Sequence, residues 1–375
     1  MLEIQKYIAN HSNWYNLLQE EPYNLKIKNK DNLYKFDYTI DSKDNIITRE
    51  ARGLILDVNN LVIAKSFNRF YNYEEHIDEN FDWSNIIISE KIDGSMIQLY
   101  YYNGNWHWAT RSSFDACDAV LNNKWNFQDL INRANKNLDY EKLNKNHCYT
   151  FELVSPENQV VVYYDKPKLY GIYVYDLMND KELDYEEEKI EFNRIGFDMP
   201  FSMKLTNENY KHIREKFVDS HKTKEFEGVV LRDKNNNRLK VKTLEWIKAH
   251  KLHNNGILTT KRIIEMLFTN ELTEYLAYFP QKKDECYKVI TTLTEINKAF
   301  TLMAMKLPKT KEWYGDNKMF WNNYVSLVSG NAYIRNLICY FANGGKIEDK
   351  WNLQDLIKCY ELYVNGEFSF VEKLK

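Results

Sequence analysis

The sequence has little of what marks several large classes of protein. It contains no Gly-x-x-x-x-Gly-Lys-Ser/Thr motif, which argues against a P-loop kinase. Its five cysteines show neither close pairing nor metal-ligand spacing, so we expect free thiols in a reducing compartment. It has no apolar run long enough to cross a bilayer, and its first residues predict an amphipathic helix rather than a signal peptide. We therefore expect a cytoplasmic protein, in a cell or an infected cell, without a membrane partner.

The chain also lacks an excess of positive charge. Its formal net charge is −3, with 51 Lys and Arg against 54 Asp and Glu. This balance argues against a generally basic nucleic-acid binder, so contact with RNA would have to use local patches. The length of 375 residues and the hydrophobic content of 44% are sufficient for two domains with ample core.

Lys91 is the most informative residue that is present. It follows the apolar run at residues 86–88, and a second strand-like run begins at Met96. Asp93 and Gly94 form a tight polar turn between the two runs. A lysine in this position is held by rigid backbone at the mouth of a sheet, where loops can build a site. The alternative is the corner of a hairpin with a solvated lysine.

Three further strand-like runs carry isolated charges. Glu152 lies among apolar and aromatic neighbours, and so does Glu227. In the run 238–242, strand alternation places Lys240 and Lys242 on one face. Buried, unpaired charges are costly, so we expect these groups to face one another, a metal or an anion. A structural ion pair is the alternative for any one of them, whereas the four in this order indicate a site.

These pieces together resemble the covalent nucleotidyltransferases, and most closely the ATP-dependent RNA ligases of the T-even phage RNA ligase 1 type. The matching motifs are Lys-Ile-Asp-Gly-Ser at 91–95, Phe-Glu at 151–152, Glu-Gly-Val-Val at 227–230 and Lys-Val-Lys at 240–242. Upstream, residues 50–56 resemble the arginine-glycine strand of this family, and residues 64–72 resemble its phosphate-contacting basic-aromatic segment. The resemblance covers residues 30–252 well.

The resemblance implies roles for these residues. Lys91 would attack the α-phosphorus of ATP, and Lys240 and Lys242 would neutralise the reacting phosphate. Glu152 would hold the ribose, and Glu227 would organise Mg²⁺ (or Mn²⁺), so both glutamates are candidate metal ligands. The full set expected to bind ATP is Arg52, Lys65, Arg69, Tyr71, Glu90, Lys91, Gly94, Arg111, Glu152, Glu227, Lys240, Lys242 and Trp246.

Within this set, Arg52, Lys65 and Arg69 are the candidates for the pyrophosphate end. Glu90 would accept the adenine amino group, or else it is a solvated acid at the end of a strand. Gly94 would let the turn close, with Asp93 bracing it.

The sequence departs from the family at two positions. Arg111 stands where relatives often have lysine, which keeps the charge but changes the hydrogen-bond geometry. Trp246 stands where the phage enzymes have tyrosine, so any role of that hydroxyl is in doubt.

The chemistry requires Lys91 to react as a free amine. With an ordinary pKa near 10.4, only about one such lysine in a thousand is neutral near pH 7.4. We expect Lys240, Lys242 and a divalent metal to lower the pKa of Lys91.

The chain predicts an α+β fold, with an antiparallel-sheet nucleotidyltransferase domain at 1–253 followed by an all-α domain at 257–375. The expected strands are 53–58, 61–67, 86–89, 96–102, 149–154, 160–164 and 169–177. The expected helices are 1–20, 127–134, 185–194, 207–218, 259–268, 272–279, 283–305, 318–328, 331–341 and 353–363. Residues 26–35 are predicted to be polar and poor in strand, Glu186 to Glu188 a solvated helix face, and Pro308 a helix end.

The helical tail separates the related families. DNA ligases and capping guanylyltransferases carry a β-rich oligonucleotide-binding fold after the last lysine motif, and nothing after Asn254 predicts one. The resemblance implies a monomeric ATP-dependent RNA ligase that joins a 3′-hydroxyl to a 5′-phosphate, with a tRNA broken in its anticodon loop as substrate. The alternatives are a DNA or broad polynucleotide ligase and a non-catalytic RNA-binding relative. The retention of Lys91, Glu227, Lys240 and Lys242 argues against the last.

Overall fold

The computed structural model describes residues 1–73, 81–121, 124–135, 138–253, 258–269 and 271–374. The chain forms two compact units, Met1–Lys251 and Leu252–Lys375. Residues 254–256, which are most of the predicted boundary, lie outside the described residues.

Strands dominate the first unit. In the described part of the chain they form three sheets with the orders β1-β2-β3-β4, β11-β10-β9-β7-β8 and β12-β6-β13-β14-β5. Neighbouring strands are antiparallel, except that β14 and β5 are parallel. The strands are β1 (Lys26–Lys30), β2 (Leu33–Asp37), β3 (Leu54–Asp57), β4 (Val62–Ala64), β5 (Tyr71–Asn72), β6 (Asn85–Glu90), β7 (Ser95–Tyr102), β8 (Asn105–Thr110), β9 (His147–Val154), β10 (Lys168–Asp176), β11 (Lys181–Glu182), β12 (Ser202–Thr206), β13 (Gly228–Asp233) and β14 (Arg238–Lys242).

Short helices precede, connect and follow these strands. They are α1 (Glu3–Asn10), α2 (Trp14–Leu17), α3 (Ile46–Glu50), α4 (Phe127–Ala134), α5 (Tyr185–Ile195), α6 (Tyr210–Ile213) and α7 (Leu244–His253). Asn126 and Asp184 cap α4 and α5 by accepting a backbone N–H of the first turn, which fixes where each helix begins. The predicted helix 1–20 is wrong in its extent, because the chain breaks between α1 and α2.

Two strand predictions are wrong. Residues 26–35, predicted to be poor in strand, belong to the hairpin β1–β2, whose turn contains Asp31 at a φ of +52°. Residues 160–164, predicted as a strand, are not one. The backbone N–H groups of Val161 and Val162 donate to Asp93 Oδ2, at 2.8 and 2.7 Å, instead of to a strand.

The chain crosses from one sheet to another at residues 91–94. β6 pairs with β12 and β13, whereas β7 pairs with β8 and β9, so this turn is not the corner of a hairpin. Gly94 packs tightly there, because a Cβ atom would lie 2.4 Å from the Leu153 carbonyl oxygen. The Lys91 backbone N–H donates to the Gly228 carbonyl oxygen at 2.9 Å, which ties the turn to β13.

Strand alternation orients the charged residues of β14. Leu239 and Val241 are buried in the core of the third sheet, beside Ile88 and Leu231. Lys240 and Lys242 therefore project from the opposite face of the strand. Burying one such aliphatic side chain contributes about 1.5–3 kcal/mol, so the core of this sheet fixes the direction of the lysines.

The second unit is helical throughout its regular structure in residues 258–269 and 271–374. Its helices are α8 (Thr260–Phe268), α9 (Leu272–Tyr278), α10 (Lys283–Trp313), α11 (Asn317–Phe320), α12 (Ser326–Val328), α13 (Ala332–Ala342), α14 (Ile347–Lys350) and α15 (Leu353–Val364). None of the described helices is both long enough and apolar enough to cross a membrane.

The long helix α10 organises this unit. It packs against α13 and α15 and buries a stripe at alternating spacings of three and four residues, which includes Ile296, Phe300, Met303 and Leu307. The predicted helix end at Pro308 is wrong, because α10 continues through this proline to Trp313. Proline removes one backbone donor, but the helix stays packed at this point, since Leu307, directly before the proline, is fully buried.

The close approach at Gly228 gives a test of the fold. Its φ is +146°, and a Cβ atom there would lie 2.0 Å from the Val241 carbonyl oxygen. We expect Gly228→Ala to lower the free energy of unfolding of the first unit by about 2 kcal/mol or more. Gly104→Asn is the matched control, because Gly104 also has a positive φ but has open space around it. Urea unfolding followed by circular dichroism measures both, and equal midpoints for the two variants would contradict this packing.

Candidate active site

The candidate site lies where the second and third sheets meet, at the crossing 91–94. Lys91 follows β6 of the third sheet, and Glu227 directly precedes β13 of the same sheet. Lys240 and Lys242 lie on β14, and Glu152 lies on β9 of the second sheet. Residues far apart in sequence are thus held on rigid strands around one crevice.

Glu227 is the centre of the site. Its Oε2 atom accepts a hydrogen bond from Lys91 Nζ at 2.9 Å, and its Oε1 atom lies 2.9 Å from Lys242 Nζ. The Glu227 side chain is 3% exposed, while those of Lys91 and Lys242 are 23% and 20% exposed. A nearly dry carboxylate is stable here because two ammonium groups compensate its charge.

The protonation of Lys91 differs from the prediction. Burial lowers the pKa of Lys91, but the attraction of Glu227 and then of Glu152 outweighs it, so the pKa is raised above 10.5. The expected lowering by the two lysines Lys240 and Lys242 is therefore wrong. Burial instead lowers the pKa of Lys242, with the charge of Lys91 adding to this effect.

Two further carboxyl groups respond to the same environment. Burial is the largest cause that raises the pKa of Glu152 to about 7; Glu227 adds to it and Lys91 opposes it. Burial and the charge of Glu227 raise the pKa of Asp93 to about 6. Because Asp93 accepts two backbone N–H groups, its place in the structure is that of a brace for the turn.

A cavity of about 200 Å³ opens at this site. From the predicted set, its lining includes Arg52, Glu90, Lys91, Glu152, Lys240 and Lys242. Lining residues with polar groups that the sequence analysis did not assign to the site include Tyr185, Glu188, Ser202, Arg232 and Arg238. Arg238 lies two residues before Lys240 on the same strand, and that spacing could have identified it.

A buried ion-pair network forms one wall of the cavity. Arg232 donates to Glu188 Oε2 at 2.6 Å, and Arg238 donates to both carboxylate oxygens of Glu182 at 3.2 Å. Glu188 is almost fully buried, and burial is the largest cause that raises its pKa to about 7. The prediction of a solvated helix face is therefore wrong for Glu188, because this face of α5 packs on Arg232.

Three arginines gather around one tyrosine beside the cavity. Arg52 donates to the Tyr38 hydroxyl at 3.0 Å, and the guanidinium carbons of Arg69 and Arg111 lie 4.3 and 4.5 Å from the Tyr38 ring centroid. Asp37 accepts from Arg111 Nε at 2.8 Å and compensates part of this charge. Arg52 Nε is buried without a hydrogen-bond partner among the described residues, which leaves a donor for an anion.

The remaining predicted residues occupy other positions. Lys65, Arg69 and Tyr71 line a second cavity of about 330 Å³, which shares Phe70 and Arg238 with the first. Lys65 is buried, donates to Asn68 Oδ1 at 2.7 Å, and has its pKa lowered by burial to about 8. The described lining of the first cavity does not include Lys65.

The Trp246 ring contacts one of the site lysines. Lys242 Nζ lies 3.9 Å from the Trp246 ring centroid, and His250 stacks on the same indole at 4.5 Å. Trp246 is buried and is not part of the described cavity lining. Its aromatic ring thus holds Lys242 without a hydroxyl group.

Comparisons with known proteins identify the family of the chain. A family model described as RNA ligase matches residues 50–256, more than half of the chain. The chain is 28% identical, over 69% of its length, to a protein of Autographa californica nuclear polyhedrosis virus named as a bifunctional polynucleotide kinase/RNA ligase. It is 27% identical, over 46% of its length, to an RNA ligase of Rhodothermus phage RM378. These matches span only 38% and 48% of the two relatives.

Among solved structures, a Naegleria gruberi RNA ligase mutant is 16% identical to the chain. The match has a TM-score of 0.37 and covers 46% of this chain and 53% of that one. Family membership therefore rests on the sequence match across the site. The chain belongs to the RNA ligase family of the T4 RNA ligase 1 type.

Proposed function

We propose that the protein is an ATP-dependent RNA ligase, which joins a 3′-hydroxyl to a 5′-phosphate through a lysyl-AMP and an RNA-adenylate. The observation that carries this proposal is the Lys91–Glu227–Lys242 arrangement, with Lys91 and Lys242 both lining one cavity. Because the chain spans less than half of the first two relatives, the activity of the whole protein is inferred from these residues and from the family.

In the first step, Lys91 Nζ forms a bond to the α-phosphorus of ATP, and the bond to pyrophosphate breaks. The ion pair with Glu227 holds the amine at the cavity but keeps it protonated, so Lys91 must lose a proton and its bond to Glu227 before attack. Lys240 and Lys242 stand at the cavity to stabilise charge on the phosphate in each transfer.

The carboxylates of Glu227 and Glu152 are suited to hold a divalent cation that keeps most of its bound waters. Among the described residues no three His, Cys, Asp or Glu side chains form a metal cluster. Mg²⁺ often binds through one or two carboxylates plus substrate phosphates. Glu227 and Glu152 can supply the carboxylates. When bound, Mg²⁺ or Mn²⁺ would supply charge neutralisation for the phosphates.

The helical unit is proposed to select the RNA, with a tRNA broken in its anticodon loop as substrate and a monomer as the active form. Residues 257–375 carry sixteen Lys and Arg against fourteen Asp and Glu, a net charge of +2, while the rest of the chain is −5. The sign suits a surface that meets RNA.

The nucleophile is tested by incubation with Mg²⁺ and ATP labelled at the α-phosphate. We expect label on the denatured protein to fall at least about 10³-fold in Lys91→Ala, because this change removes the amine that is proposed to form the bond to the α-phosphorus. Lys204→Ala is the matched control, since Lys204 is exposed and pairs with Glu186 outside the described cavity lining. Label that persists in Lys91→Ala would remove the assignment of the nucleophile.

The sealing step is tested with a chemically pre-adenylated RNA donor, without ATP. Lys91→Ala should still join this donor to an RNA 3′-hydroxyl, because the AMP is already activated. Glu227→Ala and Lys240→Ala should lose joining by about 10²–10³-fold. Glu227→Ala removes a carboxylate proposed to hold the divalent cation, and Lys240→Ala removes positive charge beside the reacting phosphate. If the wild-type protein joins no pre-adenylated RNA yet seals nicked duplex DNA, the DNA-ligase alternative replaces this proposal.

A further inference from the structure

The end of helix α10 carries an exposed stripe with an unusual composition. Met305, Lys309 and Trp313 are spaced by four residues and so lie on one helix face, with Lys306 beside them. Met305 is 63% exposed, and Trp313 is 79% exposed. Tryptophan is well buried on average, so an indole this open is available for contact with a partner.

Packing positions Trp313 rather than leaving it loose. Its ring meets Tyr314 edge to face at a centroid distance of 4.7 Å. Tyr314 in turn contacts Phe320, which is buried, at 6.0 Å. The indole is therefore held against the unit by its edge while most of its surface remains open to a partner.

Charge indicates the kind of partner. Lys306 and Lys309 are exposed, and no described carboxylate lies within 4.0 Å of either ammonium group. The stretch 298–318 holds five lysines and two acids, and one of these acids, Asp316, is engaged as the N-cap of α11. Protein interfaces are depleted in lysine, whereas lysines beside an aromatic ring are typical of single-stranded nucleic-acid sites.

We propose that the α10 stripe, formed by Met305, Lys306, Lys309 and Trp313, binds unpaired RNA. Trp313 stacks on a base, and the lysines contact the neighbouring phosphates. This inference rests on the proposed ligase function and deepens it, because it assigns the single-stranded part of the substrate to a defined surface of the helical unit. Stacking tolerates any base, so the stripe contributes affinity for an open loop rather than for a sequence.

The experiment measures fluorescence anisotropy of a labelled RNA hairpin, broken in its loop, with the full-length protein at several salt concentrations. Trp313→Ala should raise the Kd roughly tenfold, and Trp313→Phe should restore part of the affinity. Lys309→Ala should reduce the slope of log Kd against log salt by about 0.7. Lys288→Ala is the matched control, an exposed lysine of the same helix about 32 Å from Lys309, and should leave the slope unchanged.

The outcomes separate this surface from the proposed activity. If Trp313→Ala binds the RNA as wild type does while self-adenylylation is intact, the proposal that the α10 stripe binds RNA is overturned and the ligase proposal stands. If wild-type protein shows the expected anisotropy results but forms no lysyl-AMP, the ligase proposal fails instead. If Trp313→Ala converts a dimer to a monomer in sedimentation and leaves RNA binding unchanged, the stripe is a contact between copies of the chain, which also overturns the inference.

Discussion

The rest of the site depends on the ion pairs that the buried carboxylate of Glu227 makes with two lysines. It joins Lys91, at the crossing between two sheets, to Lys242 on β14. Removing Glu227 would leave two neighbouring ammonium groups without the charge that compensates both, and breaking a buried pair in this way typically costs about 3–5 kcal/mol. The backbone reinforces the same geometry, because the Gly228 carbonyl accepts the Lys91 N–H and Gly228 has no side chain to hold β14 away.

This arrangement keeps the amine of Lys91, the proposed nucleophile, in its protonated form. The carboxylates Glu227 and Glu152 raise the pKa of Lys91, while burial raises the pKa of Glu152 itself to about 7. The site therefore holds its amine protonated and oriented until the charge balance changes. Anionic phosphates entering the cavity would meet the positive charges of Lys240, Lys242 and the Arg52 guanidinium. A cation would compete with Lys91 for the carboxylate of Glu227. In the proposed reaction, loss of the Lys91 proton would thus depend on phosphates or a cation entering the cavity.

Local patterns in the sequence predicted much of this, and tertiary contacts account for the rest. Alternation in β14 correctly placed its two lysines on one face, and periodicity found most helices of the second unit. The hairpin β1–β2 was missed because its first strand is polar and mostly exposed, with little alternation to detect.

The burial of Glu188 depends on Arg232, 44 residues away, and no local pattern shows such a pairing. Asp37 and Tyr38 were missed for the same reason, since distant arginines give them their role. The sign of the Lys91 pKa shift depends on which charges lie nearest, a matter of distances that the sequence does not contain.

The most direct test of the central claim is a pH titration of Lys91 in the absence of ATP and divalent metal. Its rate of reaction with a trace amine reagent, compared between wild type and Glu227→Gln, reports the pKa of the amine. If Glu227 holds the proton on Lys91, the variant should show a pKa lower by about one unit or more, equivalent to at least about 1.4 kcal/mol of lost attraction. An unchanged pKa in Glu227→Gln would contradict the claim that this carboxylate controls the nucleophile.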